Sequence, residues 1–178
     1  MPDYGGFVKR CALFSLLCLV MACGRPGDDQ SGLDRVAAPA FPKSPNHEMT
    51  PGAFCDHPST YRYSEQIAYC QRNVEPAKKQ TIIHDYDERL GYRIATMDRR
   101  SFKIDHLIPL CMGGGNQTEN LWPQHRTLYE VTDPLEEGLC RLMARGVLKQ
   151  IDAVAMIRSA KLDLSRAEDV RRRVETPY

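Results

Sequence analysis

The sequence predicts an α+β fold: a small β-hairpin followed by a helix, surrounded by additional helices and stapled by disulfides. Three observations predict it. Residues 102–110 alternate apolar and polar and run into Gly113, Gly114 and Gly115, the pattern of a strand closed by a turn. Apolar residues recur at helical spacing over 80–90 and again beyond residue 133. Four cysteines fall in the region able to fold, an even set that reads as two disulfides if the chain is exported.

In chain order, residues 24–50 carry Pro26, Pro39, Pro42 and Pro45 and few large apolar side chains. They read as a flexible tether, with the folded domain spanning 51–178. The stretch 64–72 places Ile67 and Cys70 on one helical side, with Ser64 as a possible cap. Pro76 interrupts it. Over 80–90, Ile82, Ile83, Tyr86 and Leu90 share a helical face, and Gly91 fits as the stop. Strands are expected over 92–97 and 102–110. After Trp122, itself expected in the core, the pattern returns to helix. Asp133 and Pro134 read as an N-cap and first-turn pair, with a stripe of Leu135, Leu139, Leu142 and Met143 ended by Gly146. Residues 147–160 continue with Leu148, Ile151, Val154 and Ile157. Ser165 and Glu168 match a capping box opening a last short helix.

The N-terminus reads as a targeting segment. Lys9 and Arg10 precede an apolar run over 11–22 that is too short to span a bilayer. The tetrad Val20, Met21, Ala22, Cys23 resembles a bacterial lipobox. That resemblance implies a signal peptide over 1–22, lipidation of Cys23, a tether over 23–50, and an exported lipoprotein of the outer membrane or periplasm. With Cys11 and Cys18 removed and Cys23 lipidated, Cys55, Cys70, Cys111 and Cys140 remain. Three pairings are possible; Cys55–Cys70 with Cys111–Cys140 is favoured. The absence of a CxxC motif argues against structural zinc.

The 178 residues carry 24 basic and 23 acidic side chains, a net charge of +1. Such a balance excludes a global positive field for holding nucleic acid, so polyanion binding must use local patches. Arg99, Arg100 and Lys103 flank the motif strand and are the favoured phosphate binders. Lys78 with Lys79, and the arginines of 171–173, are the other clusters.

The densest chemistry lies in 102–125, FKIDHLIPLCMGGGNQTENLWPQH. Asp105 and His106 are adjacent and would face opposite sides of a regular strand. A bulged or twisted hairpin could still set both beside one metal. This run of Asp-His, triple glycine, Asn116 and Asn120-Leu-Trp-Pro resembles the HNH endonucleases with a ββα-metal fold, closest to small secreted bacterial members. The resemblance covers 102–140 well, thins towards residue 55, and does not reach the first fifty residues.

What the resemblance implies is a metal-dependent endonuclease that hydrolyses phosphodiester bonds of DNA, or of RNA, with little sequence preference. His106 matches the general base, Asp105 the first metal ligand, and Asn120 the residue bracing the loop that carries the base. The second ligand departs from the common form; Asp133 is favoured, with Glu136 and His125 as the other candidates. Oxygen ligands suit Mg²⁺ or Mn²⁺, and coordination by His125 would admit Zn²⁺ or Ni²⁺. The chemistry needs water deprotonated, negative charge neutralised and a leaving oxygen stabilised, tasks for an imidazole and a hard cation. The competing expectation is a non-catalytic envelope lipoprotein that keeps the ββα scaffold for binding.

Overall fold

The computed structural model describes residues 41–176; the expected signal peptide, the expected lipidation at Cys23 and the expected tether up to residue 40 lie outside the described residues. Two short antiparallel hairpins and four helices make up the fold. The first hairpin pairs β1 (Thr60–Arg62) with β2 (Ile67–Tyr69). Next come α1 (Pro76–Leu90), the second hairpin of β3 (Phe102–His106) and β4 (Leu121–His125), then α2 (Arg126–Ala144), α3 (Gln150–Leu162) and α4 (Ala167–Glu175).

The centre of the fold is the β3–β4 hairpin running straight into α2. Its register sets Phe102 opposite His125, Asp105 opposite Trp122 and His106 opposite Leu121. Ile104, Phe102, Leu121 and Trp122 pack with Ile82, Ile83 and Tyr86 of α1 into one apolar cluster. A second cluster joins α2, α3 and α4 through Leu135, Leu139, Met143, Ala153, Ile157 and Val170, and includes Ile108 and Met112 from the hairpin connection. Full burial of such side chains stabilises by roughly 1.5–3 kcal/mol each.

The connection between β3 and β4 is held by Asn120, which is fully buried. Its Oδ1 accepts from the Ile108 N–H at 2.8 Å, and its Nδ2 donates to the Ile108 and Gly115 carbonyls at 2.9 Å each. Glycine is required where the loop wraps this amide: a Cβ on Gly114 would lie 1.8 Å from the Ile108 oxygen, and Gly113 has φ +86°. Residues 53–55 seal the loop, with Cys55 N–H donating to the Gly113 carbonyl and Gly115 N–H to Ala53.

Both disulfides join the favoured partners, Cys55–Cys70 and Cys111–Cys140. The first fixes β2 to the segment before β1. The second fixes the glycine-loop entrance to α2.

Several local expectations are corrected. The stretch 64–72 is no helix: Thr60 pairs with Tyr69, and the turn holds Tyr63 and Gln66 at positive φ. Disulfide closure and the β-favouring Thr, Tyr and Ile outweigh the single Ile67/Cys70 spacing. Pro76 opens α1 rather than interrupting a helix, as its missing N–H costs nothing at a first turn. The strand expected over 92–97 is a 3-10 turn, Ile94–Thr96, because the Asp87 carboxylate accepts from the Ile94 and Ala95 N–H groups. The second half of 102–110 leaves the strand at His106, and β4 occupies the stretch after Asn120.

Asp133 and Pro134 do not start a helix. They sit inside α2, which begins after His125, because buried Leu128 and Thr132 extend the apolar stripe upstream of Leu135. Helix α3 starts at Gln150 rather than 147, and α4 follows a turn capped by Asp163 rather than by Ser165. The end of the supposed tether belongs to the fold. Phe41 stacks on His125 with ring centroids 4.0 Å apart, and Thr50, 1% exposed, donates from Oγ1 to the Leu121 carbonyl and shares a hydrogen bond with the Tyr86 hydroxyl.

Candidate active site

Strand alternation divides Asp105 from His106. Asp105 points towards α2 and α3, into an ionic cluster. Its Oδ2 accepts from Lys161 Nζ at 2.7 Å, and its Oδ1 lies 3.3 Å from Lys103 Nζ. Lys103 also pairs with Asp133 at 2.6 Å, and Lys161 pairs with Glu136 and donates to the His106 carbonyl. Lys161 is 2% exposed and Asp105 6% exposed, so the centre of the network is desolvated, while Lys103 and Asp133 form a partly exposed rim.

Burial raises the Asp105 carboxyl, but the Lys161 and Lys103 ammoniums outweigh it and hold the group below its ordinary value. In Glu136 burial wins over the same lysine and raises the carboxyl to about 7. Burial works against the Lys161 ammonium, and Asp105 and Glu136 more than reverse it, so this lysine stays charged.

Donor atoms of Asp105, Asp133 and Glu136 lie within 4.8 Å of one another, and hard oxygens suit Mg²⁺ or Mn²⁺. As folded, each carboxylate has an ammonium partner: Lys161 stands between Asp105 and Glu136, and the partly exposed Lys103 bridges Asp105 and Asp133, so a cation entering the set would take a lysine's place. His125 is not part of this group. It lies opposite Phe102 at the far end of the hairpin, stacked on Phe41, with Nδ1 accepting from the Thr127 N–H. Burial and the nearby Lys43 lower its pKa.

His106 faces the other way. Its Nδ1 lies 3.2 Å from the Arg72 guanidinium and its Nε2 3.1 Å from Asn116 Oδ1. Guanidinium nitrogens only donate, so Nδ1 is the acceptor and Nε2 carries the proton, which it donates to Asn116. Asn116 is itself oriented: Oδ1 accepts from the Asn73 N–H and Nδ2 donates to the Gln71 carbonyl. Burial, helped by the Arg72 charge and opposed by the Asn116 hydrogen bond, lowers the imidazole pKa to about 4, so the ring is neutral at pH 7. Asp105 and His106, expected to flank one cation, thus contact different residues.

Arg72 and Asn116 line a cleft of about 560 Å³ between the exit of β2, the start of α1 and the glycine loop. Lys78, Asn73, Gln71, Gln117, Ser59, Asp56 and His57 complete the part of the lining that carries charge or hydrogen-bonding groups. Of the favoured phosphate binders, Lys103 is held by Asp133 and Asp105, while Arg99 and Arg100 are exposed on the 3-10 turn Arg99–Ser101, at the end of β3 away from His106.

Sequence reasoning missed Arg72 and Lys161 and assigned Asn116 only to the turn. Lys161 had a signal: it continues the buried helical spacing of Val154 and Ile157, seven and four residues on from them, a position where a lysine must find acidic partners. Arg72 had none, since its place beside His106 depends on the path of the first hairpin. A scan against protein-family models finds no match to this chain, and neither the curated proteins nor the solved structures yield one.

Proposed function

We propose that the chain is an exported endonuclease that hydrolyses phosphodiester bonds of DNA or RNA, with His106 as general base. The observation that carries this reading is a neutral, oriented imidazole, 3% exposed, buried directly behind Arg72 and Asn116, which line a cleft with Lys78. In the reaction, His106 Nδ1 takes a proton from water, and the water oxygen attacks phosphorus. The bond from phosphorus to the departing oxygen breaks, and the imidazolium returns its proton to that oxygen. The products are a phosphomonoester and an alcohol. A positioned base of this kind contributes about 10²–10⁴ in rate. Lys161 supports the base indirectly by fixing the His106 carbonyl. Because the carboxylate set is filled by lysines, no step runs through a metal there.

Two disulfides support an oxidising compartment. The same proposal has a lipid on Cys23 holding the domain to the envelope. A Cys23→Ser variant is then expected to accumulate as an unprocessed precursor, and normal maturation of it would remove the anchor from the account. For the activity, the full chain is incubated with supercoiled plasmid, with Mg²⁺, with Mn²⁺ and with EDTA. Conversion to nicked and linear forms, or cleavage of a labelled RNA under the same conditions, is expected; plasmid that stays supercoiled together with RNA that stays intact under all three conditions rejects the hydrolase reading. The lysine-filled acidic cluster favours a second reading, a non-catalytic envelope lipoprotein that binds through the same cleft, and this assay separates the two.

A further inference from the structure

Arg72 and Lys78 stand apart from the other cations near the motif. Lys103 and Lys161 are consumed by carboxylates. Arg72 is exposed, and its guanidinium rests on the His106 Nδ1 and on the Ile104 carbonyl, 2.7 Å away. Lys78 reaches across the cleft to the Asn116 carbonyl at 2.9 Å. Among the described residues, neither pairs with a carboxylate. The one acid in the lining, Asp56, is paired with His57 at 3.1 Å. Two cations resting on neutral acceptors hold charge-assisted hydrogen bonds in reserve for an anion.

The guanidinium also covers the only acceptor nitrogen of His106. While it stays there, that nitrogen cannot take a proton from water. An anion that draws Arg72 outward would bare the nitrogen and remove the cation that now weakens it as a base.

We propose that Arg72 and Lys78 form the phosphate-binding site of this cleft, and that a nucleic-acid backbone phosphate, by drawing the Arg72 guanidinium away from Nδ1, uncovers His106 for catalysis. The proposal rests on the hydrolase reading for its second half; the binding half stands without it. Arg72 binds substrate and gates the base, and Lys78 binds substrate. The favoured assignment of phosphate contacts to Arg99, Arg100 and Lys103 moves accordingly to the opposite end of β3.

The test is fluorescence anisotropy with a labelled single-stranded oligodeoxynucleotide, using the full chain in a His106→Ala background to prevent cutting. Adding Arg72→Gln is expected to weaken binding roughly ten- to hundredfold, and Lys78→Met about tenfold. The dependence of log affinity on log salt should flatten by about one unit for each. Arg99→Ala in the same background should bind unchanged. Because Arg72 also braces Ile104, Lys78→Met, which touches only a loop carbonyl, keeps the result readable if Arg72→Gln folds poorly. Equal affinity in Lys78→Met and in a folded Arg72→Gln overturns the proposal. For the gate, the His106 ring nitrogens are followed by NMR as inorganic phosphate is added to the chain with His106 intact. Nδ1 should move as it loses Arg72, and a stationary Nδ1 at saturating phosphate overturns the gate. If binding follows Arg72 and Lys78 but wild-type chain never nicks plasmid or cleaves RNA, the phosphate site stands and the hydrolase reading falls.

Discussion

The two sides of one short strand behave as different materials. On the Asp105 side, three carboxylates and two lysines close on one another between β3, α2 and α3, in a layer that is dry at Asp105 and Lys161 and open at Lys103 and Asp133. On the His106 side, the buried ring touches one arginine and one asparagine, and those two side chains line a cleft. Charges that neutralise each other inside a protein hold its parts in register, whereas cations left on neutral acceptors remain available to a ligand. Adjacency in sequence thus put the two residues in different surroundings: Asp105 joins an ionic cluster, and His106 meets Arg72 and Asn116, two residues that line the cleft.

The largest expected effect comes from breaking the dry side. Lys161→Met leaves Asp105 and Glu136 without their shared cation and should cost about 3–5 kcal/mol of unfolding free energy in urea titrations. Mn²⁺ should recover part of that loss in the variant and leave the wild-type midpoint unmoved. A wild-type chain strongly stabilised by Mn²⁺ would mean that the lysine yields its place to a metal.

Next comes the covalent closure of the same side. The Cys111–Cys140 link spans 29 residues and Cys55–Cys70 spans 15, so the chain-entropy picture assigns them about 3–4 and about 3 kcal/mol. Cys111→Ala with Cys140→Ala should therefore lower stability at least as much as the other pair. Indifference of the midpoint to either pair would show that the links are not formed in solution.

Acid titration sharpens the contrast further, because the two sides carry opposite signs. The folded pKa of His106 is depressed to about 4, so its contribution is present above the unfolded value and lost as pH falls from about 6.5 towards 4. Glu136 is raised to about 7, so its contribution is present at low pH and lost as pH rises through about 7. Each is on the order of 3 kcal/mol by linkage, and over pH 5–6.5 they offset. Glu136→Gln should thus expose a loss of stability on acidification that wild type lacks, and His106→Gln should expose the reverse. Parallel pH profiles for the two variants would contradict the assignment.

The smallest effect is expected at the far end of β3. Arg99→Ala and Arg100→Ala touch exposed side chains and should change stability by less than about 0.5 kcal/mol and leave plasmid nicking unchanged.

How much of this was legible in the sequence follows the range of the forces involved. The α+β class, both disulfides and the helix carrying Ile82, Ile83 and Tyr86 rest on local periodicity and on cysteine number, which the sequence displays directly. The first hairpin was hidden because strands of three residues are shorter than the helical spacing that Ile67 and Cys70 imitate. The start of α2 was hidden because Asp133-Pro134 carries the chemistry of a helix start while long-range burial of Leu128 and Thr132 draws the helix further back. At the site, the residues of the motif were legible and their companions were not. Arg72 and Lys161 come from elements 34 and 55 residues away from His106, brought there by the first hairpin and by α3. Only tertiary packing decides which cations meet which carboxylates.

The measurement that bears most directly on this division of labour is plasmid nicking by His106→Ala, with its unfolding midpoint recorded on the same preparation. The account predicts cutting reduced by about 10²–10⁴ in a chain that still folds, with a stability loss of about 2–3 kcal/mol because the ring is buried and hydrogen-bonded at both nitrogens. A folded His106→Ala chain that nicks plasmid at the wild-type rate would contradict it.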